Sequence, residues 1–209
     1  MSLIGCSACA DGSTFEPTEA GSGGYLTKGG AAVRIDADTL VLDGVINMDG
    51  GWVSDSGGAS GGSAWITTRL LQGTSMSTTI SARGGAAGSG QSGGGVGGRI
   101  ALYCNASEHA GSFKGLSGLP VMQVSGGSGS SSSGGSGTAY TDCGDVGTAL
   151  ILDNDGLSNQ FDHGSGMAFT DFLESNETTW HFDHLGVFGS GRFAFIPSIM
   201  GVSVPKALA

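Results

Sequence analysis

The sequence predicts an all-β fold, a glycine-rich parallel β-solenoid whose short strands meet at Gly/Ser corners. Glycine accounts for 42 of the 209 residues, and in a helix interior each glycine costs about 1 kcal/mol relative to alanine. No window of a dozen residues keeps the 3.6-residue apolar period of a helix. Gly-Gly pairs instead punctuate similar segments that begin at Gly29, Gly61, Gly97 and Gly134.

These segments form an approximate repeat. Their starts are about 32, 36 and 37 residues apart, within the range of solenoid repeats. Each unit opens with a short strand, continues with a second strand after a small or polar break, and closes with a Gly/Ser loop. The predicted first strands are 33–35, 64–66 and 100–103, and the predicted second strands are 40–42 with 45–46, 79–81 and 149–152.

The first unit shows how a chain with few large side chains can bury a core. Apolar and polar residues alternate, which predicts that one face of the strand is buried. Glycine suits the corners because it adopts a positive φ without penalty, and stacked coils share one thin core. The expected inward residues are Val33, Ile35, Leu40 and Leu42, and the expected outward residues are Arg34, Asp36 and Asp38.

We expect one continuous domain with three regions. Residues 1–28 form an N-terminal extension that carries a Cys-x-x-Cys motif, 29–156 hold the solenoid repeats, and 157–209 form aromatic-rich C-terminal coils or a cap. The alternative fold is a polyglycine II bundle, in which tracts such as 84–98 pack as extended left-handed helices. That alternative predicts little β-sheet.

Charge excludes several functions. The formal net charge is −10 with only eight Lys and Arg residues, so the basic surface needed to bind nucleic acid is missing. The same scarcity disfavours a β-helix lyase or hydrolase, which would need basic residues clustered on one face. A G-x-S-x-G match around Ser60 lacks the following helix of a nucleophile elbow, and no apolar run of about 18 residues predicts a transmembrane helix. We therefore expect no enzymatic activity.

The four cysteines predict two disulfides and an oxidising compartment. Segments 99–104 and 138–143 align without a gap, so stacking as successive coils would put Cys104 beside Cys143, about 4.8 Å away. That spacing lies within the Cα separation of about 4.4–6.8 Å that disulfides span. We expect a Cys104–Cys143 bridge and a tight Cys6–Cys9 loop; a four-cysteine zinc site or buried free thiols are the alternatives.

Two N-glycosylation sequons begin at Asn105 and Asn176. We expect both asparagines to be exposed and at least one to carry a glycan. Together with the even number of cysteines, the sequons favour an extracellular or cell-surface location.

Metal binding has one weak candidate. Asp153 and Asp155, in Asp-Asn-Asp-Gly, resemble the start of a calcium loop, although the later bidentate glutamate is missing. The competing interpretation is an ordinary Asp/Asn-Gly turn after a strand. No other cofactor is expected.

Longer stretches resemble a known group of proteins. GGSAWITTRLLQGTSMSTTISARGGAAGSGQSGGGVGGRIALY, followed by TALILDNDG and TTWHFDHLGVFGSGRFAF, is similar to the glycine-rich repeats of large secreted cell-surface proteins of microbial eukaryotes and some bacteria. The resemblance covers about residues 28–198. It implies a parallel β-solenoid and an extracellular adhesive or filament-forming role, and it brings no catalytic residues.

The predicted function is structural. An extracellular filament, appendage or cell-surface coat could self-assemble by solenoid stacking, because the end of a solenoid leaves a strand edge unpaired. The alternative is an adhesin or carbohydrate-binding module. Trp52, Trp65 and Trp180 could stack on sugars, although tryptophan is more commonly packed into a protein.

Overall fold

A computed structural model describes residues 12–24, 26–52, 54–73, 77–88, 92–105, 115, 118–157, 170–172, 179–195, 201–203 and 206–207. These residues form fourteen strands and no α-helix, with one short 3₁₀ turn at Gly144–Val146. No helix in this part of the chain could cross a membrane. The strands are β1 (Ala32–Val41), β2 (Val45–Asn47), β3 (Ser63–Gln72), β4 (Thr79–Ser81), β5 (Arg99–Cys104), β6 (Val121–Gln123), β7 (Thr138–Cys143), β8 (Thr148–Asp153), β9 (Thr170–Phe172), β10 (Thr179–His181), β11 (His184–Phe188), β12 (Phe193–Phe195), β13 (Gly201–Ser203) and β14 (Lys206–Ala207).

Two sheets form the body of the molecule. The first sheet has the order β1-β3-β5-β7-β8-β11-β14, and the second has the order β2-β4-β6. Consecutive strands from β1 to β6 lie alternately in the first and the second sheet. Within each sheet, neighbouring strands pair in parallel: β1 with β3 and β3 with β5, and β2 with β4 and β4 with β6. Each two consecutive strands are therefore one coil, and three coils stack: 32–62, 63–98 and 99–137. The predicted β-solenoid is confirmed.

The core lies between the two sheets. Aligned positions of successive coils form apolar columns, such as Ile35 beside Ile66 in the first sheet and Ile46 beside Ile80 in the second. The alternation predicted for the first unit is also present, because inward residues of β1 are half-buried and outward residues are exposed. The fully buried members of this core include Ala64, Ile66, Leu71, Ile80, Ala82, Ile100, Leu102 and Ala139.

Beyond the strands, the two layers are rich in glycine and are joined by backbone hydrogen bonds. We call this region the glycine half; it comprises 48–52, 82–88 and 124–129 on one layer and 57–62, 92–98 and 132–137 on the other. One series of backbone hydrogen bonds links the layers, with lengths of 2.8–3.1 Å. In this glycine ladder, the N–H groups of Gly51, Ala59, Gly85, Gly95, Gly127 and Gly134 donate in turn to the carbonyl groups of Lys28, Gly51, Ala59, Gly85, Gly95 and Gly127.

Hydrogen bonds in the glycine half repeat every third residue. Gly94 and Gly97 donate to carbonyls of the next coil, whereas Gly95 and Gly98 donate across the layers. Three residues per turn is the period of an extended left-handed helix. The fold as a whole is the solenoid, and the bonding pattern of the polyglycine II alternative occurs inside one half of it.

The N-terminal segment 12–24, here called the N-terminal strap, crosses the outer face of the first sheet. The carbonyl of Phe15 accepts a 2.9 Å hydrogen bond from the Tyr103 hydroxyl of the third coil. The carbonyl of Glu19 accepts a 2.8 Å bond from the Ser63 hydroxyl of the second coil. The strap therefore ties successive coils together from outside.

The strand at 149–152 does not occupy the predicted position. It belongs to β8, which pairs antiparallel with β7 in the first sheet, with Ala139 opposite Ile151; the second strand of the third coil is β6. The chain reverses at Gly144 and Gly147, whose φ values are 47° and 81°, a conformation that glycine adopts without strain. The stack of coils therefore ends at β7, and β8, β11 and β14 extend the first sheet.

Candidate functional site

The predicted disulfide joins Cys104 to Cys143. The two residues are direct register partners on β5 and β7, with a Cα–Cα distance of 4.4 Å and a sequence separation of 39. The bridge ties the third coil to the strand at which the chain reverses. The prediction of this pairing is confirmed, whereas Cys6 and Cys9 lie outside the described residues.

Asn105 directly follows the disulfide and is exposed, as expected for a sequon. Its backbone N–H donates to the Arg69 carbonyl at 3.3 Å, so its position on the third coil is fixed against the second coil. Asn176 lies outside the described residues. Glycosylation of either asparagine stays a prediction.

The candidate calcium loop forms a local turn. The Asp153 carboxylate accepts a 2.8 Å hydrogen bond from the Asp155 N–H, which defines an Asx turn. Asp155 and Gly156 have φ values of 52° and 72°. In the described part of the chain, no group of three or more His, Cys, Asp or Glu residues is arranged to hold a metal ion. The turn gives Asp153 and Asp155 a local structural role, and calcium binding there stays a prediction.

Asn154, between those two aspartates, has a role that sequence reasoning missed. It is 1% exposed. Its Oδ1 accepts a 2.8 Å bond from the Gly126 N–H, and its Nδ2 donates to the carbonyls of Gly134 at 3.2 Å and Leu157 at 3.0 Å. Gly134 is the last N–H donor of the glycine ladder, and Asn154 donates to its carbonyl. Asn154 therefore caps the glycine half at its C-terminal end.

An aromatic cluster covers the outer face of the first sheet. Phe15 of the strap stacks on Trp180 and meets Tyr140 edge-on, both at 4.7 Å between ring centroids. Burial raises the pKa of Tyr140 to about 12, and the negative charges of Asp142 and Asp183 act in the same direction. The C-terminal aromatics thus join the N-terminal strap in a second core.

The three tryptophans have different environments. Trp180 belongs to the aromatic cluster, and Trp65 packs against it while its ring carries the Arg34 guanidinium at 4.0 Å from the centroid. Trp52, at the end of the glycine half, is 63% exposed. Trp52 is therefore the most exposed of the three, whereas Trp65 and Trp180 are partly buried.

His181 and His184 lie on different strands. His181 ends β10, and His184 begins β11. The Asp183 side chain between them accepts hydrogen bonds from the Thr148 N–H at 2.8 Å and the Thr148 hydroxyl at 3.1 Å, which lower the pKa of Asp183. Asp183 thus positions the start of β8.

The first coil ends in an open edge. Among the described residues, β1 pairs with β3 and β2 pairs with β4, and each has no strand on its other side. Inward residues Ile35 and Ile46 are half-buried, whereas their register partners Ile66 and Ile80 are fully buried. We call β1 and β2 together the first-coil edge; Val45 on this edge is 62% exposed.

Two aspartates of the first coil are held by arginines of the second coil. Asp38 accepts from Arg69 at 2.7 Å, and Asp49 pairs with Arg83 at 3.0 Å. The hydrogen bond from Arg69 lowers the pKa of Asp38. These pairs join neighbouring coils, and so Asp38 and Asp49 have a structural role.

No protein-family model, curated protein or solved structure matches this chain. Evidence about function therefore comes from the residues and their geometry.

Proposed function

We propose that the protein is an extracellular structural protein, a subunit or segment of a filament, appendage or cell-surface coat. It assembles by stacking its first-coil edge on another β-solenoid. The observation that carries this proposal is the open end of the core: the first coil leaves residues half-exposed whose counterparts in the second coil are fully buried.

Both backbone and side chains favour a partner at this edge. An unpaired strand presents a row of N–H and C=O groups that another strand can satisfy. Val41 and Val45, which are 63% and 62% exposed, add apolar surface to the same end. Burying such surface contributes about 25 cal/mol per Å², so a stacked solenoid would be stabilised by both terms.

The remaining features suit an extracellular structural role. The Cys104–Cys143 bridge is typical of oxidising compartments, and the exposed Asn105 is accessible for glycosylation. Two buried polar side chains serve the fold: Asn154 caps the glycine half, and Arg99 donates to Thr14 of the strap at 2.9 Å. We propose no catalytic activity.

Sedimentation velocity and electron microscopy over a range of concentrations test this function. We expect the wild-type protein to associate and the Val45→Lys variant to shift towards monomers, because Thr79, its register partner in the stacked second coil, is half-buried, and a lysine there would lose part of its hydration. The matched control is Val187→Lys, at a 44% exposed valine of β11, which should associate like the wild type. A protein that stays monomeric, or a Val45→Lys variant that associates normally, would contradict the proposal.

A second candidate function is carbohydrate binding by an adhesin, which the exposure of Trp52 favours. Aromatic rings with one free face stack on sugars through their apolar surface. A glycan array with the wild type and Trp52→Ala tests it, with Trp180→Phe as a control that keeps an aromatic ring in the cluster. Binding lost in Trp52→Ala alone would support this candidate; an array without any bound glycan would exclude it.

A further inference from the structure

We propose that the partner of the first-coil edge is a second copy of this chain, related by a two-fold axis, with the two β1 strands antiparallel and Ile35 opposite Ile35. This inference rests on the proposed function and deepens it, because it names the partner and the register. The assembly unit would be a two-fold pair of solenoids whose cores join at their open ends.

The two ends of the solenoid differ, which favours pairing of like ends. At the C-terminal end, the first sheet continues through β8, β11 and β14 while the second sheet stops at β6. Asn154 also closes the glycine half there. Head-to-tail stacking of two copies would therefore join an open coil to an end of a different shape. Pairing of the two first-coil edges joins open coils of the same shape.

The backbone direction defines which residues can pair. The Ser63 N–H donates to the Ala31 carbonyl at 3.0 Å, so the backbone groups of Ala31 face β3. Backbone groups alternate sides along a strand, and therefore those of Ala32, Arg34 and Asp36 face the open edge. These are the groups that a second β1 strand would meet.

Charge selects among the registers that use these groups. One antiparallel register puts Asp36 opposite Asp36 of the second copy, and another puts Arg34 opposite Arg34; both place like charges together. The register between them puts each Arg34 opposite Asp36 of the second copy, which gives two complementary pairs. Directly opposite residues of unlike charge stabilise an antiparallel pair, and like charges destabilise it.

The same register closes the apolar core. Ile35 meets Ile35 at the axis, and each Val33 lies opposite Ala37 of the second copy; all three residues are half-buried on the inner face of β1. A two-fold axis perpendicular to the first sheet also passes through the second sheet. It therefore brings the two β2 edges, with Ile46, to the same interface.

Charge reversal tests the register. The single variants Arg34→Glu and Asp36→Arg each put like charges opposite each other, and we expect sedimentation equilibrium to show dimers at least tenfold weaker than wild type. The double variant Arg34→Glu/Asp36→Arg exchanges the two charges and should restore the dimer. The control Glu16→Arg makes the same charge change as Asp36→Arg at an exposed strap residue, and should leave the dimer unchanged; thermal unfolding verifies that each variant is folded.

A cysteine at the axis gives an independent readout. Directly opposite, non-hydrogen-bonded residues of antiparallel strands lie close enough for a disulfide, so Ile35→Cys should crosslink two chains on oxidation, whereas Val187→Cys should not. If the protein associates through Val45 but neither rescue nor crosslink occurs, the two-fold register is wrong and the proposed function stands. A wild-type protein that never associates would overturn both.

Discussion

Alanine at Gly95 should unfold the glycine half. A Cβ at this buried position would lie 1.9 Å from the Ala59 carbonyl oxygen and 2.4 Å from its carbon. Both atoms belong to backbone, so no side-chain rotation relieves the clash. Cβ atoms essentially never approach another heavy atom within 3.0 Å, and the second coil at Gly95 would have to separate from the first coil at Ala59 by about 1.1 Å to reach that limit.

The separation would break the centre of the glycine ladder. Gly95 donates to Gly85 at 2.9 Å and accepts from Gly127 at 2.8 Å. Each buried backbone group left without a partner costs about 1–3 kcal/mol, so loss of both bonds lowers the free energy of unfolding by at least ~4 kcal/mol. That is a large part of the 5–15 kcal/mol that typically stabilises a domain.

Urea denaturation followed by circular dichroism measures this effect. Gly44→Ala is the matched control, because a Cβ there has nothing within 4 Å and the residue does not need a left-handed φ. The control should change the free energy of unfolding by about 0.5 kcal/mol or less, or stabilise slightly through reduced freedom of the unfolded chain. A Gly95→Ala protein within about 1 kcal/mol of wild type would refute close backbone packing of the first and second coils in the glycine half.

Three further predictions concern buried groups. Asn154→Asp turns an anion towards carbonyl oxygens and should lower the free energy of unfolding by about 3 kcal/mol at neutral pH. Urea titrations should show that this loss shrinks in acid, because the new carboxyl becomes protonated. The control Asn105→Asp should stay near wild type. Replacing Cys104 and Cys143 by serine should lower the free energy of unfolding by about 3–4 kcal/mol, measured by thermal denaturation, and peptide mapping of the wild type should recover the crosslink. Because the folded pKa of Tyr140 is raised to about 12, the unfolded state ionises first, from about pH 10. Stability should therefore be intact below pH 10 and fall towards pH 12, and Tyr140→Phe should lack that part of the decline.

Much of the fold could be predicted because its signals are local. The alternation of β1 and the Gly-Gly repeat identify strands and corners without knowledge of their neighbours. The ungapped match between 99–104 and 138–143 predicted the Cys104–Cys143 bridge, since successive coils keep the same register. The place of β8 was predicted wrongly: 149–152 was expected as the second strand of a unit, but β8 pairs with β7 in the first sheet, because a short apolar run fits either sheet.

The sequence by itself determined the solenoid, its repeat and its disulfide, because these depend on the period of the chain and on where glycine is tolerated. Only the tertiary structure decided which backbone and side-chain contacts cover one end of the solenoid and which strands stay unpaired at the other. Asn154 caps Gly134 across 20 residues, and Arg99 reaches Thr14 across 85. Such contacts depend on which distant groups remain unpaired once the coils have stacked. The open first-coil edge is likewise a property of the stacked coils, because a strand is an edge strand only relative to its neighbours.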